Sequence, residues 1–171
     1  MSAIDGCLDH HFRWATGFDD ADRPAPPRRK LAIVTCMDAR LDPAAWFGLE
    51  PGDAHVIRNA GGIVTEDVIR SLSISQTMLG TREVLVIQHT DCGMGAATER
   101  AMREAIETDT GVPPPFELGA FDDPEDEVRT SLALLRETPI LAHRHSIRGF
   151  VYDVGTAALR EVATAAKHRP E

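Results

Sequence analysis

The stretch REVLVIQHTDCGM, residues 82–94, joins a β-strand pattern to two residue types that bind metals. Its first half is a short apolar run rich in β-branched residues, which is typical of a strand buried on both faces of a parallel sheet. His89 and Cys92 follow at the carboxyl end of that run, three residues apart. Because a zinc ion takes four ligands, two residues do not complete a site, and other parts of the chain must supply the rest.

Two further apolar runs precede this one, KLAIVTC at 30–36 and AHVIRNA at 54–60. One helix is predicted to begin after a Thr65 cap and another after an Asp123 cap, and residues 149–162 predict two short strands around a turn. Alternating strands and helices predict an α/β domain with a mainly parallel sheet. In such sheets ligands bind beyond the carboxyl ends of the strands.

The chain before the first strand predicts a separate arm. Residues 1–29 are predicted to form a polar helical segment followed by a stiff PAPP linker, and residues 30–171 to form the α/β domain that carries His89 and Cys92, the expected zinc-binding and catalytic part of the chain. The arm carries Phe12, Trp14 and Phe18. These aromatic side chains could pack on a second subunit or on the arm's own domain, and the sequence leaves both open.

The bulk properties of the chain exclude several classes of function. Its 171 residues suffice for one domain with a hydrophobic core, and its formal net charge is −9. That acidity argues against nucleic acid or an anionic membrane surface as a partner, and no apolar run has the length of a membrane span. Asp5 and Asp9 interrupt the segment where a secretory signal would be apolar. With three sparse cysteines, we expect a cytoplasmic protein without disulfides.

The remaining zinc ligands are predicted at the end of the first strand. Cys36 ends that strand, and if it neighbours the third strand, Cys36, His89 and Cys92 converge on one crevice. Two thiolates and an imidazole suit zinc. Asp38 and Arg40 follow Cys36 at steps of two, so Asp38 shares its face in an extended segment. Asp38 could be a fourth ligand or an acceptor for a bound water, and Arg40 would keep it ionised.

A structural zinc site is the main physical alternative to a catalytic one. Structural sites are closed by four tight protein ligands, usually with more cysteines or histidines. Here the nearest candidate for the fourth position is Asp38, which would compete with water. The ligand pattern therefore favours catalysis.

Three motifs, CMDAR (36–40), GLEPGDAHVIRNAGG (48–62) and VLVIQHTDCGM (84–94), resemble the β-class carbonic anhydrases in order and spacing. With the tail GFVYDV, the resemblance covers roughly residues 30–162. It implies a five-stranded sheet with four parallel strands and one antiparallel edge. It also implies a homodimer or homotetramer whose N-terminal helices embrace the neighbouring subunit.

The resemblance also implies roles for individual residues. Cys36, His89 and Cys92 would bind zinc. Asp38 and Arg40 would form a catalytic dyad, with Asp38 as a fourth ligand in a closed state. A further set matches the substrate pocket: Gly61, Gly62 and His55.

Four positions of this sequence can be compared with residues that vary among members of the family. Many members have an aromatic residue where His55 stands, and this histidine would alter pocket polarity, help to move protons, or simply be hydrogen-bonded. The bicarbonate-inhibited branch of the family uses a Trp, an Arg and a Tyr. Arg58 and Tyr152 match the last two, but Ile33 replaces the Trp, so regulation of that kind is not expected.

The function implied is zinc-dependent carbonic anhydrase activity, the reversible hydration of carbon dioxide to bicarbonate and a proton by zinc-bound hydroxide. Relatives that hydrolyse carbonyl sulfide or carbon disulfide share these motifs, so such a hydrolase is the first alternative. A non-catalytic zinc protein that binds an anion is the second. Because thiolate ligands acidify zinc-bound water less than histidines do, we predict activity that rises above neutral pH.

Overall fold

The computed structural model describes residues 2–163, and within them five strands form one sheet. The strands are β1 (Leu31–Cys36), β2 (Ala54–Asn59), β3 (Glu83–His89), β4 (Ile147–Tyr152) and β5 (Leu159–Glu161). Their order is β2-β1-β3-β4-β5, with β2, β1, β3 and β4 mutually parallel and β5 antiparallel to β4. The predicted sheet, four parallel strands with one antiparallel edge, is confirmed.

The described residues include five α-helices, which are α1 (Ala3–Ala15), α2 (Pro43–Phe47), α3 (Glu66–Leu79), α4 (Glu99–Thr110) and α5 (Pro124–Glu137). Of these, α3 and α5 pack on the sheet. Thr65 caps α3 by accepting a hydrogen bond from the Val68 N–H, and Asp123 caps α5 through two backbone N–H groups. The α4 helix begins at Glu99 because the Thr98 hydroxyl caps it, and residues 93–95 before it form a separate 3₁₀ turn.

The main hydrophobic core lies between the sheet and two helices. Val68 and Leu72 of α3, together with Val128, Leu132 and Leu135 of α5, are buried against β1, β3 and β4. Full burial of an aliphatic side chain of this size contributes about 1.5–3 kcal/mol. The core therefore anchors the central strands whose carboxyl ends carry the predicted ligands.

Strand β2 differs from the prediction of burial on both faces. Its side chains alternate between half-buried and exposed, and Val56 is 42% exposed. The reason is its position, because β2 lies at the edge of the sheet with one strand neighbour. By contrast, five of the six residues in β1 are buried.

The arm has little contact with the sheet. No side chain of α1 is buried. The linker is tied to the domain by Asp53, whose buried carboxylate accepts a 2.9 Å hydrogen bond from Arg28 and pairs with Arg29. Residues 164–171, which the predicted domain includes, lie outside the described residues. In the part of the chain that the structure describes, no helix is long and apolar enough to cross a membrane.

Candidate metal centre and active site

Three buried side chains meet beyond the carboxyl ends of β1 and β3. Cys36 ends β1, His89 ends β3, and Cys92 follows three residues later. Strands β1 and β3 are parallel neighbours, and this arrangement, with the turn after β3, brings the Cys36 and Cys92 sulfurs and a His89 ring nitrogen within 4.8 Å of one another. Along the described chain, no other group of three histidine, cysteine or acidic side chains comes together in this way. The predicted convergence of the three residues is thus what the fold produces.

The orientation of His89 leaves one ring nitrogen available to a metal. Its Nδ1–H donates a 2.9 Å hydrogen bond to the Thr90 carbonyl. This bond places the lone pair on Nε2. The side chain is 0% exposed, and Nε2 has no hydrogen-bond partner. Because a buried polar atom without a partner is costly, the free Nε2 points to a metal ion as its missing partner.

The two sulfurs fit the same interpretation. Cys36 Sγ and Cys92 Sγ lie 4.0 Å apart, and both cysteines are free. Two thiolates bound tetrahedrally to zinc at about 2.3 Å would be roughly 3.8 Å apart. Burial raises the pKa of the Cys92 thiol, and the neighbouring Cys36 sulfur raises it further. A bound cation is what would hold both groups as thiolates, so the donor set suits zinc.

Asp38 and Arg40 form the predicted pair beside Cys36, His89 and Cys92. The Arg40 guanidinium donates to both carboxylate oxygens, at 3.0 Å from Nε to Oδ1 and 2.7 Å from Nη2 to Oδ2. The Arg40 backbone N–H adds a 2.9 Å bond to Oδ1. These hydrogen bonds hold the pKa of Asp38 well below its ordinary value. Asp38 Oδ2 lies 3.9 Å from His89 Nε2, so an ionised carboxylate faces the metal position.

Asp91 is a residue of the site that the sequence interpretation did not include. Its Oδ2 accepts a 2.7 Å bond from Arg40 Nη1, and its backbone carbonyl accepts a 2.8 Å bond from Nη2. The backbone at Asp91 is left-handed, with φ at 54°, a conformation that Asp tolerates better than most residues. Arg40 is therefore held between Asp38 and Asp91. The one signal in the sequence was the position of this acidic residue between His89 and Cys92.

Of the predicted glycine pair, Gly62 packs against β1 beside Cys36. Gly62 has φ at +62°, and a Cβ there would lie 2.6 Å from both the Cys36 nitrogen and the Thr35 carbonyl carbon. The buried Gln88 amide donates a 3.0 Å bond to the Gly62 carbonyl, which fastens this turn to β3. Gly62 thus sets the close approach beside Cys36. Its neighbour Gly61 faces Met94 and Phe121 instead.

A small cleft opens from the metal position. Its volume is about 190 Å³, below the roughly 300–1,000 Å³ of pockets for drug-sized ligands. The lining residues are His89, Asp91, Cys92, Gly95, Ala96, Phe121, Asp122 and Pro124. Phe121 comes from the irregular segment between α4 and α5, which carries no periodic pattern that could have pointed to it.

His55 does not join this site. It pairs with Ala32 in the sheet register, four positions before the pair of Asn59 with Cys36, which is about 13 Å along a strand. Its Nδ1 lies 2.7 Å from the Ser75 hydroxyl of α3. The hydrogen-bonded alternative therefore describes this residue in the single chain, where His55 lies apart from the three converging side chains.

The three positions compared with the bicarbonate-inhibited branch each have contacts within the folded chain. Arg58 donates to the backbone carbonyls of Cys36 at 3.0 Å and Asp38 at 2.7 Å. Tyr152 stacks on Trp46 with ring centroids 4.0 Å apart, and Ile33 is fully buried. Arg58 therefore supports the backbone of the ligand loop from the neighbouring strand.

These features define an α/β protein with a candidate metal centre, which lies at a switch point of the strand order. The family model for carbonic anhydrase matches residues 31–112. Beta-carbonic anhydrase 1 of Mycobacterium tuberculosis is 46% identical over 162 residues, covering 95% of this chain and 99% of that protein. A crystal structure of carbonic anhydrase from Streptococcus mutans superposes with a TM-score of 0.89 at 42% identity, covering 95% of this chain and 99% of the other.

A carbon disulfide hydrolase of Saccharolobus solfataricus is also similar. It is 35% identical over 161 residues, covering 80% of this chain and 78% of that protein. The chain belongs to the β-carbonic anhydrase family.

Proposed function

We propose that the protein is a zinc-dependent carbonic anhydrase that hydrates carbon dioxide reversibly to bicarbonate and a proton. The observation that carries this proposal is the unpartnered Nε2 of His89, which lies beside two free cysteine sulfurs. Asp38, held by Arg40, faces the same point. Ligands without a reacting group would suit a structural site, whereas an oriented carboxylate beside them suits catalysis.

Cys36, His89 and Cys92 would hold the zinc ion and leave its fourth position to water or to Asp38. A zinc ion bound there lowers the pKa of a bound water and so supplies the nucleophile at moderate pH. The two thiolates donate more charge than imidazoles would and therefore weaken this acidification. Activity should accordingly rise as the pH increases above neutral.

Asp38 would orient the nucleophile. Because its carboxylate is ionised, it can only accept a hydrogen bond. By accepting a hydrogen bond from the O–H of the nucleophile, the carboxylate would direct an oxygen lone pair toward the carbon of the substrate. Arg40 holds both carboxylate oxygens and so fixes that direction.

Asp38 also gives the site a closed state. If the carboxylate leaves Arg40, it can take the fourth ligand position and expel water. Asp91 would keep hold of Arg40 in that state, because its two contacts do not depend on Asp38. Lower pH would favour closure, since water competes less well than hydroxide for the metal.

Hydrolysis of carbonyl sulfide or carbon disulfide is the second candidate, and the similarity to a carbon disulfide hydrolase favours it. These molecules are linear and small like carbon dioxide. Purified zinc-loaded protein should be assayed on carbon dioxide, carbonyl sulfide and carbon disulfide side by side. We expect the highest kcat/KM on carbon dioxide, and a higher value on either sulfur substrate would reverse the assignment.

A non-catalytic zinc or anion-binding role is tested by Asp38→Ala. In an enzyme this change removes the orienting carboxylate, so kcat/KM should fall by about 10²-fold or more, the usual scale for losing an acid–base or orienting group. Zinc content should remain at the wild-type level. A wild-type protein that binds zinc and turns over none of the three substrates would favour the binding role.

We propose further that the chain assembles as a homodimer or homotetramer through its arm, residues 1–29, while residues 30–171 form the catalytic domain. The apolar side chains of α1 and the following turn support this, since Phe12 is 65% exposed and Trp14 is 56% exposed. Light scattering should give at least twice the chain mass of 18.7 kDa. A Phe12→Glu/Trp14→Glu variant should be smaller. A cytoplasmic location, which suits two reduced zinc thiolates, would be tested by cell fractionation.

A further inference from the structure

The segment between α4 and α5 is held over the metal centre by two side chains of α4. The Glu99 carboxylate accepts hydrogen bonds from three consecutive backbone N–H groups, those of residues 118–120, at 2.8, 3.0 and 3.3 Å. These bonds lower the pKa of Glu99, the Leu118 N–H most of all. Arg103, one turn further along α4, donates to the carbonyls of Pro114 and Phe116. An irregular segment is thereby fixed at two points.

Near its end this segment carries Phe121, which lies between Gly61 and Gly95, two glycines in turns of the site. A Cβ added at Gly61 would be 3.2 Å from Phe121 Cε1, and one added at Gly95 would be 3.3 Å from the Phe121 carbonyl oxygen. The Phe121 N–H donates a 3.3 Å bond to the Met94 carbonyl. The ring packs on the small cluster that contains Cys36 and Cys92. Phe121 is the largest apolar side chain lining the cleft.

We propose that Phe121 sets the width of the substrate cleft and that Glu99, through residues 118–120, is the positioning residue that keeps Phe121 in place. This inference rests on the proposed function, because it concerns which small linear molecules reach the same metal centre. Sulfur atoms are larger than oxygen atoms, so a fixed aromatic wall discriminates against carbon disulfide more than against carbon dioxide. A difference of one methylene in an apolar pocket changes kcat/KM by about 10–200-fold.

The test of Phe121 is the ratio of kcat/KM for carbon disulfide to kcat/KM for carbon dioxide. Phe121→Ala should raise this ratio about tenfold or more, and Phe121→Leu should raise it less. Each ratio is measured on one enzyme preparation, so partial unfolding or zinc loss cancels. If the alanine variant does not fold, the leucine variant carries the test. An unchanged ratio in the folded variants would overturn the role of Phe121.

The test of Glu99 uses Glu99→Gln with Glu104→Gln as its control. Glu104 is an exposed acid on the same helix whose carboxylate pairs with Arg100. Glu99→Gln should accelerate hydrogen exchange at the amides of residues 118–120 and raise the substrate ratio in the same direction as Phe121→Ala. Glu104→Gln should change neither.

The two kinds of failure are distinguishable. If the zinc-loaded wild type turns over neither substrate, the proposed function fails, while amide exchange still tests the contact of Glu99 with its segment. If the wild type is active and Glu99→Gln leaves both the exchange rates and the ratio unchanged, the positioning role is wrong and the proposed function stands.

Discussion

Replacement of Gly62 by alanine should damage the metal centre without touching a ligand. Gly62 has φ at +62°, and the left-handed conformation costs an L-residue about 1–2 kcal/mol. The new Cβ would lie 2.6 Å from the Cys36 nitrogen and from the Thr35 carbonyl carbon. Overpacking of this kind costs about 1–3 kcal/mol. Together these terms predict a loss of about 2–5 kcal/mol in the free energy of unfolding.

Gly80→Ala is the matched control for this variant. Gly80 has φ at +75°, and nothing lies within 4 Å of its Cβ position, so it should lose only the conformational cost of about 1–2 kcal/mol. Urea unfolding of both variants in the metal-free form measures the difference, because bound zinc would add its own contribution to stability. Because relief of the clash must move the Cys36 backbone, zinc affinity should fall about 10–100-fold in Gly62→Ala alone, the range for lost support of a ligand. Equal stabilities and equal zinc affinities in the two variants would refute the reasoning.

Two further predictions concern acidic residues. Asp91→Ala should lower kcat/KM for carbon dioxide by less than about fivefold, because an exposed ion pair is worth at most about 1 kcal/mol. Asp122→Ala, in the same cleft, is the control and should leave kcat/KM unchanged. If Asp91→Ala lowered kcat/KM as much as Asp38→Ala does, the view that Asp91 contributes less than Asp38 would be contradicted. Asp53→Asn should lower the melting temperature of metal-free protein at pH 7 but much less below pH 3.8. The hydrogen bond from the Glu50 N–H, with help from Arg28, lowers the pKa of Asp53 from 3.8, so its contribution is present above that pH and is lost as the pH falls. An equal loss at both pH values would contradict this.

The convergence of Cys36, His89 and Cys92 was predictable because of where these residues fall along the strands. Cys36 and His89 each end an apolar run, and parallel strands bring such positions to one edge of the sheet. Alternation along an extended segment placed Asp38 on the same face as Cys36. These placements need only the strand pattern and the adjacency of two strands, and the structure does bring the four side chains together.

Other features could not be predicted, because they depend on strand order and on irregular segments of the chain. The exposure of β2 follows from its edge position, and strand order cannot be deduced from apolarity alone. His55 lies in the same strand as Asn59 but several residues before the end that faces the site. Phe121 and Asp91 reach the site through an irregular segment and a left-handed turn, and no periodicity predicts either.

The most direct test of the account is a zinc titration of the metal-free protein, followed by stopped-flow hydration of carbon dioxide. If Cys36, His89 and Cys92 form the catalytic centre, activity should rise linearly from zero and reach a plateau at one zinc ion per chain. A Cys92→Ala variant should show no such rise. Activity in the metal-free protein, or none at saturating zinc, would contradict the claim that this centre hydrates carbon dioxide.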